Sequence, residues 1–264
     1  MNTEKYDTIG TNYNQTRKAD KYLTERLVHY LQPQNGNTYL DIGCGTGNYT
    51  LAISLNGGSF IGVEPSAKML NKAKEKSDKI KWLQGNTENI PLADNSIEGI
   101  MATLTLHHWD DIHKGLKELK RVLKPHGKVV IFTSTPEQMK GYWLNHYFPK
   151  MLHDSITQMP SYEWIEEGLI KAGFKNINTE IYVVKEDLQD LFLYAGKNRP
   201  ELYLREDVRH GISSFSHLSN KLEVEKGLAE LEKDMNNGKL ADVIRQYEND
   251  KGDYLFITAT AEKS

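Results

Sequence analysis

The sequence predicts an α/β fold with a doubly wound, mostly parallel sheet, and three observations carry that reading. Short apolar, β-branched runs alternate with helix-patterned segments from residue 38 to residue 133. A glycine-rich turn, Gly43-Cys44-Gly45-Thr46-Gly47, joins the first of those runs to the helix that follows. After residue 134 the alternation breaks, because two segments, 135–160 and 185–250, interrupt the remaining strands and read as helical cap insertions.

The elements follow in order. Residues 20–31 put Leu23, Leu27, Tyr30 and Leu31 on one helical face, and Gln34-Asn35-Gly36-Asn37 is a turn. Residues 38–42 make a short apolar strand, and 46–56 a helix closed by Gly57-Gly58. Residues 59–63 are the second strand, after which Ser66 supplies an N-cap for a helix to Ser77. Residues 80–84 and 97–102 read as strands three and four. Ile112, Leu116, Leu119 and Leu123 line a helix stopped by Pro125 and Gly127, and 128–133 form a β-branched fifth strand. This alternation implies right-handed crossovers. The first insertion is marked by Tyr142, Trp143, Tyr147, Phe148 and Met151, whose aromatic content suits either an apolar pocket or a small core. Residues 161–172 are then helical and 174–184 a strand. An amphipathic helix with Val224, Leu228, Leu231 and Met235 lies in the second insertion, and 253–260 alternate as a final strand.

Composition narrows the function classes. With 33 basic and 36 acidic side chains the chain carries a net charge of −3, which makes nucleic acid an unexpected partner. The one cysteine, Cys44, excludes an internal disulfide and fits a reducing, cytoplasmic setting. Residues 1–10 contain no apolar run, and no stretch approaches the ~20 apolar residues of a membrane span. The histidines form neither H-E-x-x-H nor a Cys/His cluster, so no metal is expected.

The chemistry concentrates in the glycine turn and its acidic neighbours. Glycine permits positive φ and a close approach of ligand to backbone, and the helix that follows offers unpaired N–H groups. The spacing is G-x-G-x-G after Asp41, not the dinucleotide G-x-G-x-x-G. A buried Asp41 carboxylate would repel a pyrophosphate but suits the ammonium group of an amino acid. Glu64, ending the second strand, stands where an α/β nucleotide site needs an acid for ribose hydroxyls.

With these residues in view, the sequence resembles the class I S-adenosylmethionine-dependent methyltransferases, in their broad small-molecule branch. The matching stretches are YLDIGCGTGNYT (39–50), IGVEPSAKML (61–70), QGNTENIPLADNSIEGI (84–100), LHHW (106–109) and RVLKPHGKVVI (121–131). The resemblance spans roughly residues 6–134 plus the two final strands. It implies a Rossmann-like seven-stranded sheet with a terminal antiparallel hairpin, S-adenosylmethionine as methyl donor and S-adenosylhomocysteine as product. It also implies an organisation: 1–134 as the donor-binding half with an N-terminal helical segment, 161–184 and 251–264 as the rest of the sheet, and the two insertions as a cap that builds the acceptor site. Carried over by position, Asp41, Gly43, Gly45, Thr46 and Gly47 hold the methionine part and Glu64 the ribose. Asn86, Thr87 and Glu88 fall at the adenine. The family usually has Asp where this chain has Asn86, whose amide still accepts and donates but carries no charge. Met69 and Leu104 either flank the adenine or pack in the core. Tyr13 and Arg17 match a segment that folds over the donor, with Arg17 either pairing the methionine carboxylate or solvated at the surface.

His107 and His108 follow the fourth strand. His107 is the candidate catalytic residue, as a base, as a positioning group or as a turn residue, with His108 expected to turn away toward Trp109. The reaction read from all this is methyl transfer to a small-molecule acceptor by in-line displacement. Two other readings are a nicotinamide-dinucleotide oxidoreductase on a related sheet and a non-catalytic S-adenosylmethionine-binding protein.

Overall fold

The computed structural model describes residues 16–262. A first helix, α1 (Lys21–Leu31), is capped by the Asp20 carboxylate, which accepts from the Leu23 N–H, and buries Leu23, Leu27 and Leu31 at four-residue spacing. Then come β1 (Thr38–Ile42), α2 (Asn48–Ser54), β2 (Ser59–Glu64), α3 (Ala67–Lys76), β3 (Lys81–Gln84), β4 (Ile97–Thr103), α4 (Ile112–Val122) and β5 (Leu123–Thr133). Ser66 caps α3 as its position predicts, accepting from the Met69 N–H. The first insertion holds α5 (Pro136–Lys140) and α6 (Pro149–Ile156), and the core resumes with α7 (Tyr162–Lys171) and β6 (Phe174–Tyr182). The second insertion holds α8 (Glu206–His210), α9 (Ser213–His217), α10 (Lys221–Asn237) and α11 (Leu240–Gln246), before β7 (Tyr254–Ala261) closes the sheet.

The sheet has seven strands in the order β3-β2-β1-β4-β5-β7-β6. β1 to β5 pair in parallel, and β7 runs antiparallel between β5 and β6. Side chains alternate across it: Tyr39, Val130 and Phe132 enter one apolar cluster, and Leu40, Ile42, Val129 and Ile131 the other. A sheet buried on both faces explains why its central strands read as apolar runs.

Several boundaries differ from expectation, α2 for one running over Asn48–Ser54 inside the expected 46–56. α4 stops at Val122, and Leu123 already pairs with Ile97, because the residue before Pro125 is pushed toward extended backbone. β5 therefore starts five residues before Lys128, with a register shift on its partner between Ile97 and Gly99. β6 ends at Tyr182, short of Val184. β6 and β7 pair antiparallel, yet the second insertion separates them in the chain.

The two insertions pack on each other. Tyr142 stacks on Tyr194 with ring centroids 3.8 Å apart and shares a hydroxyl hydrogen bond with Tyr203, and Phe148 meets Phe215 edge-on at 5.0 Å. On α10, Leu231 is fully buried while Val224, Leu228 and Met235 are partly covered, as the amphipathic spacing predicts. Among the described residues, no helix is long and apolar enough to cross a membrane.

Candidate active site

The turn after β1 is made by three left-handed glycines, with φ of 71° at Gly43, 55° at Gly45 and 76° at Gly47. Their open sides face different things. A Cβ on Gly43 would strike the Thr105 hydroxyl at 2.2 Å and one on Gly47 would strike Trp82 at 2.4 Å, whereas one on Gly45 would meet nothing within 4 Å. Gly45 opens onto a cavity at the carboxyl ends of the parallel strands, lined also by Asp41, Gly43, Thr46, Glu64, Met69, Asn86, Thr87 and Leu104.

Two carboxylates stand on this wall. Asp41 is buried and accepts from the Thr50 hydroxyl at 2.6 Å. Burial pushes its acid up to about 7, against the lowering hydrogen bond from Thr50, and the nearby Glu64 charge adds to the rise. Glu64 accepts from the Gly45 N–H through Oε2 and the Ser66 N–H through Oε1, both at 3.0 Å. Burial raises its acid too, opposed by those two amides. The same surroundings hold the Cys44 thiol well above its ordinary value, which removes it as a nucleophile.

Further tethers fix the wall. Lys76 at the end of α3 donates to the Thr46 carbonyl at 2.8 Å, the Thr46 hydroxyl at 3.0 Å and Asn48 Oδ1 at 2.6 Å. Arg17 lines the cavity and pairs with the buried Asp190 of the second insertion, Nε to Oδ1 at 2.5 Å and Nη2 to Oδ2 at 3.2 Å. Asp190 also accepts from the Tyr49 hydroxyl at 3.1 Å. Asp190, Lys76 and Thr50 were not singled out in the sequence. Thr50 lies in the same 39–50 stretch as its partner Asp41, whereas the partners of Asp190 and Lys76 lie far from them along the chain, where no local signal marks the contact.

At the end of β4, Leu104 adopts φ 53°, a left-handed backbone rare for leucine, and lines the cavity. Leu106 is fully buried and anchors a 3₁₀ turn, Leu106–His108. Both histidines of that turn line the cavity with ring centroids 3.8 Å apart, so His108 does not turn away as expected. Asn86 and Asn89 form an isolated bridge, the Asn86 side-chain oxygen Oδ1 is buried without a hydrogen-bond partner, and Thr87 is buried beside it. Glu88, placed by the resemblance at the adenine, instead accepts from the Asp110 and Asp111 N–H groups through Oε1 and does not line the cavity. Those two amides hold Glu88 against the loop before α4, while Asn86 and Thr87 line the cavity. Gly47 is also off the cavity, filled against Trp82. Tyr13 lies outside the described residues.

The cap closes the other side. Met139, Ser155, Gln158 and Met159 come from the first insertion, and Phe192, Tyr194, Ile212, Ser214 and Leu218 are among those from the second. None of the five residues that marked the first insertion in the sequence lines the cavity; all five are buried in the packing beneath. On the cap, His146, Glu230 and Asp234 gather within 4.8 Å of one another, where Asp234 already accepts from the Tyr147 hydroxyl.

The sheet wall is thus acceptor-rich, with two buried carboxylates, an unpartnered carbonyl oxygen and open backbone at Gly45. That fits a ligand bearing an ammonium group, hydroxyls and an amino-substituted ring. Residues 40–131 match a family described as a methyltransferase domain. A solved structure from Anabaena variabilis, described as a methyltransferase of an antibiotic biosynthesis pathway, is 34% identical with a TM-score of 0.81 and covers 93% of this chain and 99% of that one. A demethylmenaquinone methyltransferase of Desulfitobacterium hafniense is 29% identical over 209 residues, 66% of this chain and 81% of that protein. A malonyl-[acyl-carrier protein] O-methyltransferase of Erwinia pyrifoliae is 33% identical over 128 residues, 48% of this chain and 49% of that protein. Fold, glycine spacing and relatives agree, and the dinucleotide reading finds no support among them: the chain belongs to the class I S-adenosylmethionine-dependent methyltransferases, enzymes whose methyl donor is S-adenosylmethionine.

Proposed function

We propose that this enzyme methylates a small molecule held between the strand ends and the helical cap, with the donor on the sheet side and the acceptor under the cap. One observation carries the reading: a single cavity has two chemically unlike walls, the first bearing buried carboxylates and the glycine turn, the second apolar and hydroxylic side chains from both insertions. When bound, the donor supplies a methyl group already activated as an electrophile, so the chain's own task is alignment and exclusion of water.

On the sheet wall, Asp41 receives the ammonium group, and Gly43, Gly45 and Thr46 let the backbone come close. Glu64 spends one interaction of each oxygen on Gly45 and Ser66 and keeps further lone pairs for ribose hydroxyls. The Asn86 carbonyl accepts from the adenine amino group beside Thr87, between Met69 and Leu104. Arg17, oriented by Asp190, stands at the carboxylate end. His107 faces the acceptor, taking its proton or orienting it, with His108 alongside. The demethylmenaquinone and acyl-carrier methyltransferases among the relatives support an acceptor outside the nucleic acids, and the lone cysteine supports a cytoplasmic setting.

Calorimetry with S-adenosylhomocysteine tests the division of labour. Glu64→Gln should weaken binding by roughly 10- to 100-fold, the loss of charge-assisted hydrogen bonds. His107→Asn should leave it within about twofold, since an acceptor residue contributes little to donor affinity. Equal losses in the two variants would refute the two-wall reading.

A further inference from the structure

The cap wall carries no usable charge. Among the described residues lining the cavity, the acidic and basic side chains other than His107 and His108 are Arg17, Asp41, Glu64 and Asp190. Asp41 and Glu64 belong to the sheet wall. Arg17 and Asp190 satisfy each other through two contacts, and the Tyr49 hydroxyl adds a third hydrogen bond to Asp190. The cap presents mainly apolar side chains, among them Met139, Met159, Phe192, Ile212 and Leu218, with uncharged polar groups on Gln158, Tyr194 and Ser213 and one hydroxyl pair. Ser155 at the end of α6 donates to Ser214 on α9 at 2.8 Å, and both side chains are buried. Since Ser214 accepts in that bond, its own hydrogen remains to be donated. The pair also joins the two insertions, so this polar point exists only when both are folded together.

We infer that the acceptor is an uncharged, mainly apolar molecule whose oxygen is recognised by the Ser155–Ser214 pair. This rests on the proposed placement of the acceptor under the cap. A carboxylate, phosphate or ammonium entering here would surrender its hydration and meet no opposite charge in return. An apolar body, by contrast, gains from leaving water against the methionines and branched side chains. One hydroxyl or carbonyl oxygen, aimed at Ser214, fixes its orientation, because a pocket built around a buried donor discriminates strongly against ligands that leave the donor unmet.

A matched set of probes separates the charge classes: 4-phenylphenol, 4-phenylbenzoate and 4-phenylbenzylamine, neutral, anionic and cationic at pH 7. Each is titrated by calorimetry into protein saturated with S-adenosylhomocysteine. The phenol should bind at least about tenfold more tightly than either charged probe, the penalty for stripping an unpaired ion of water. Ser214→Ala should weaken the phenol by roughly three- to tenfold, one neutral hydrogen bond. Ser214→Asp should raise the amine above the phenol by supplying the missing counter-charge. Tighter or equal binding of the benzoate or the amine to the unaltered protein overturns the inference. So does phenol binding indifferent to Ser214→Ala, or the binding of none of the three while S-adenosylhomocysteine binds. Failure to bind S-adenosylhomocysteine at all would instead strike the donor assignment, and the two failures cannot be confused.

Discussion

The glycine turn and the cap line one cavity but are built by opposite rules. The turn is five consecutive residues whose three left-handed glycines and whose hydrogen bond from Gly45 to Glu64 fix its shape almost by themselves. The cap has no such local grammar. Its contacts join side chains far apart in the chain, Tyr142 to Tyr203, Ser155 to Ser214 and Tyr147 to Asp234. The donor wall is therefore set by backbone geometry and the acceptor wall by long-range packing. A chain can keep the first while varying the second, which is how one fold serves many acceptors.

Two glycines test this contrast most sharply. Gly45→Val directs its side chain into the cavity, where nothing of the protein stands in the way, and adds a left-handed valine costing ~1–2 kcal/mol. S-adenosylhomocysteine affinity should fall by about a hundredfold or more, while cooperative unfolding persists at a slightly lower Tm. Gly227→Val on α10 does the reverse. Its Cβ would lie 2.4 Å from the Tyr147 carbonyl oxygen and 2.6 Å from the Phe148 ring. That overpacking costs ~1–3 kcal/mol of stability and should leave donor affinity within about twofold. Loss of donor binding in the Gly227 variant would show that the two walls are not separable.

The next effect is a trade-off at Asp41. Burial lifts its acid from 3.8 to about 7, so the fold disfavours the ionised form. The sign follows from linkage: the stability that the protonated group contributes is fully present below pH ~4 and is lost as pH rises through about 7. Asp41→Asn should accordingly raise the Tm of the ligand-free protein at pH 8, and the gain should vanish near pH 4. Binding runs the other way. An ammonium group needs the carboxylate ionised, so the unaltered protein should lose affinity by up to about tenfold per pH unit below pH 7. The Asn variant should bind roughly 10- to 100-fold more weakly, with that pH dependence flattened. Calorimetry between pH 5.5 and 8.5 checks both, and an unaltered pH slope in the variant would move the ammonium site elsewhere.

The same contrast explains how much was legible in the sequence. The succession of strands and helices up to β5, the Ser66 cap, the left-handed glycines and the cavity positions of Asp41 and Glu64 follow from periodicity and short spacing, because local backbone rules produce them. Glu88 faces away from the cavity because the Asp110 and Asp111 N–H groups hold its carboxylate, partners that its position in the motif does not reveal. The aromatic run from Tyr142 to Phe148 looked like either a core or a pocket, and its composition could not separate the two: packing against the second insertion makes it core. Asp190 stayed invisible because its partners, Arg17 and Tyr49, are brought to it only by the complete fold.

The smallest expected effect is the most discriminating about the turn itself. If backbone geometry alone shaped the donor wall, the outer tether from Lys76 would be dispensable. Its ammonium donates to both oxygens of Thr46 and to Asn48, and the Asn48 amide in turn donates to the Arg17 carbonyl at 2.9 Å. One lysine thus ties the end of α3 to the glycine turn and, through it, to the segment carrying Arg17. Lys76→Met keeps most of the aliphatic stem and removes every donor. S-adenosylhomocysteine affinity should fall by about three- to tenfold, the worth of a charge-assisted hydrogen bond partly replaced by water. Lys76→Arg restores donors with a different fork and should recover part of the loss. The cap pair makes the control, since Tyr142→Phe removes a buried hydroxyl bond remote from the turn and should lower Tm without touching donor affinity. If Lys76→Met bound the ligand as tightly as the unaltered protein, the glycines and Glu64 would suffice to hold the donor wall. If it bound a hundredfold more weakly, the turn would depend on a long-range contact as the cap does, and the distinction between the two walls would be one of degree.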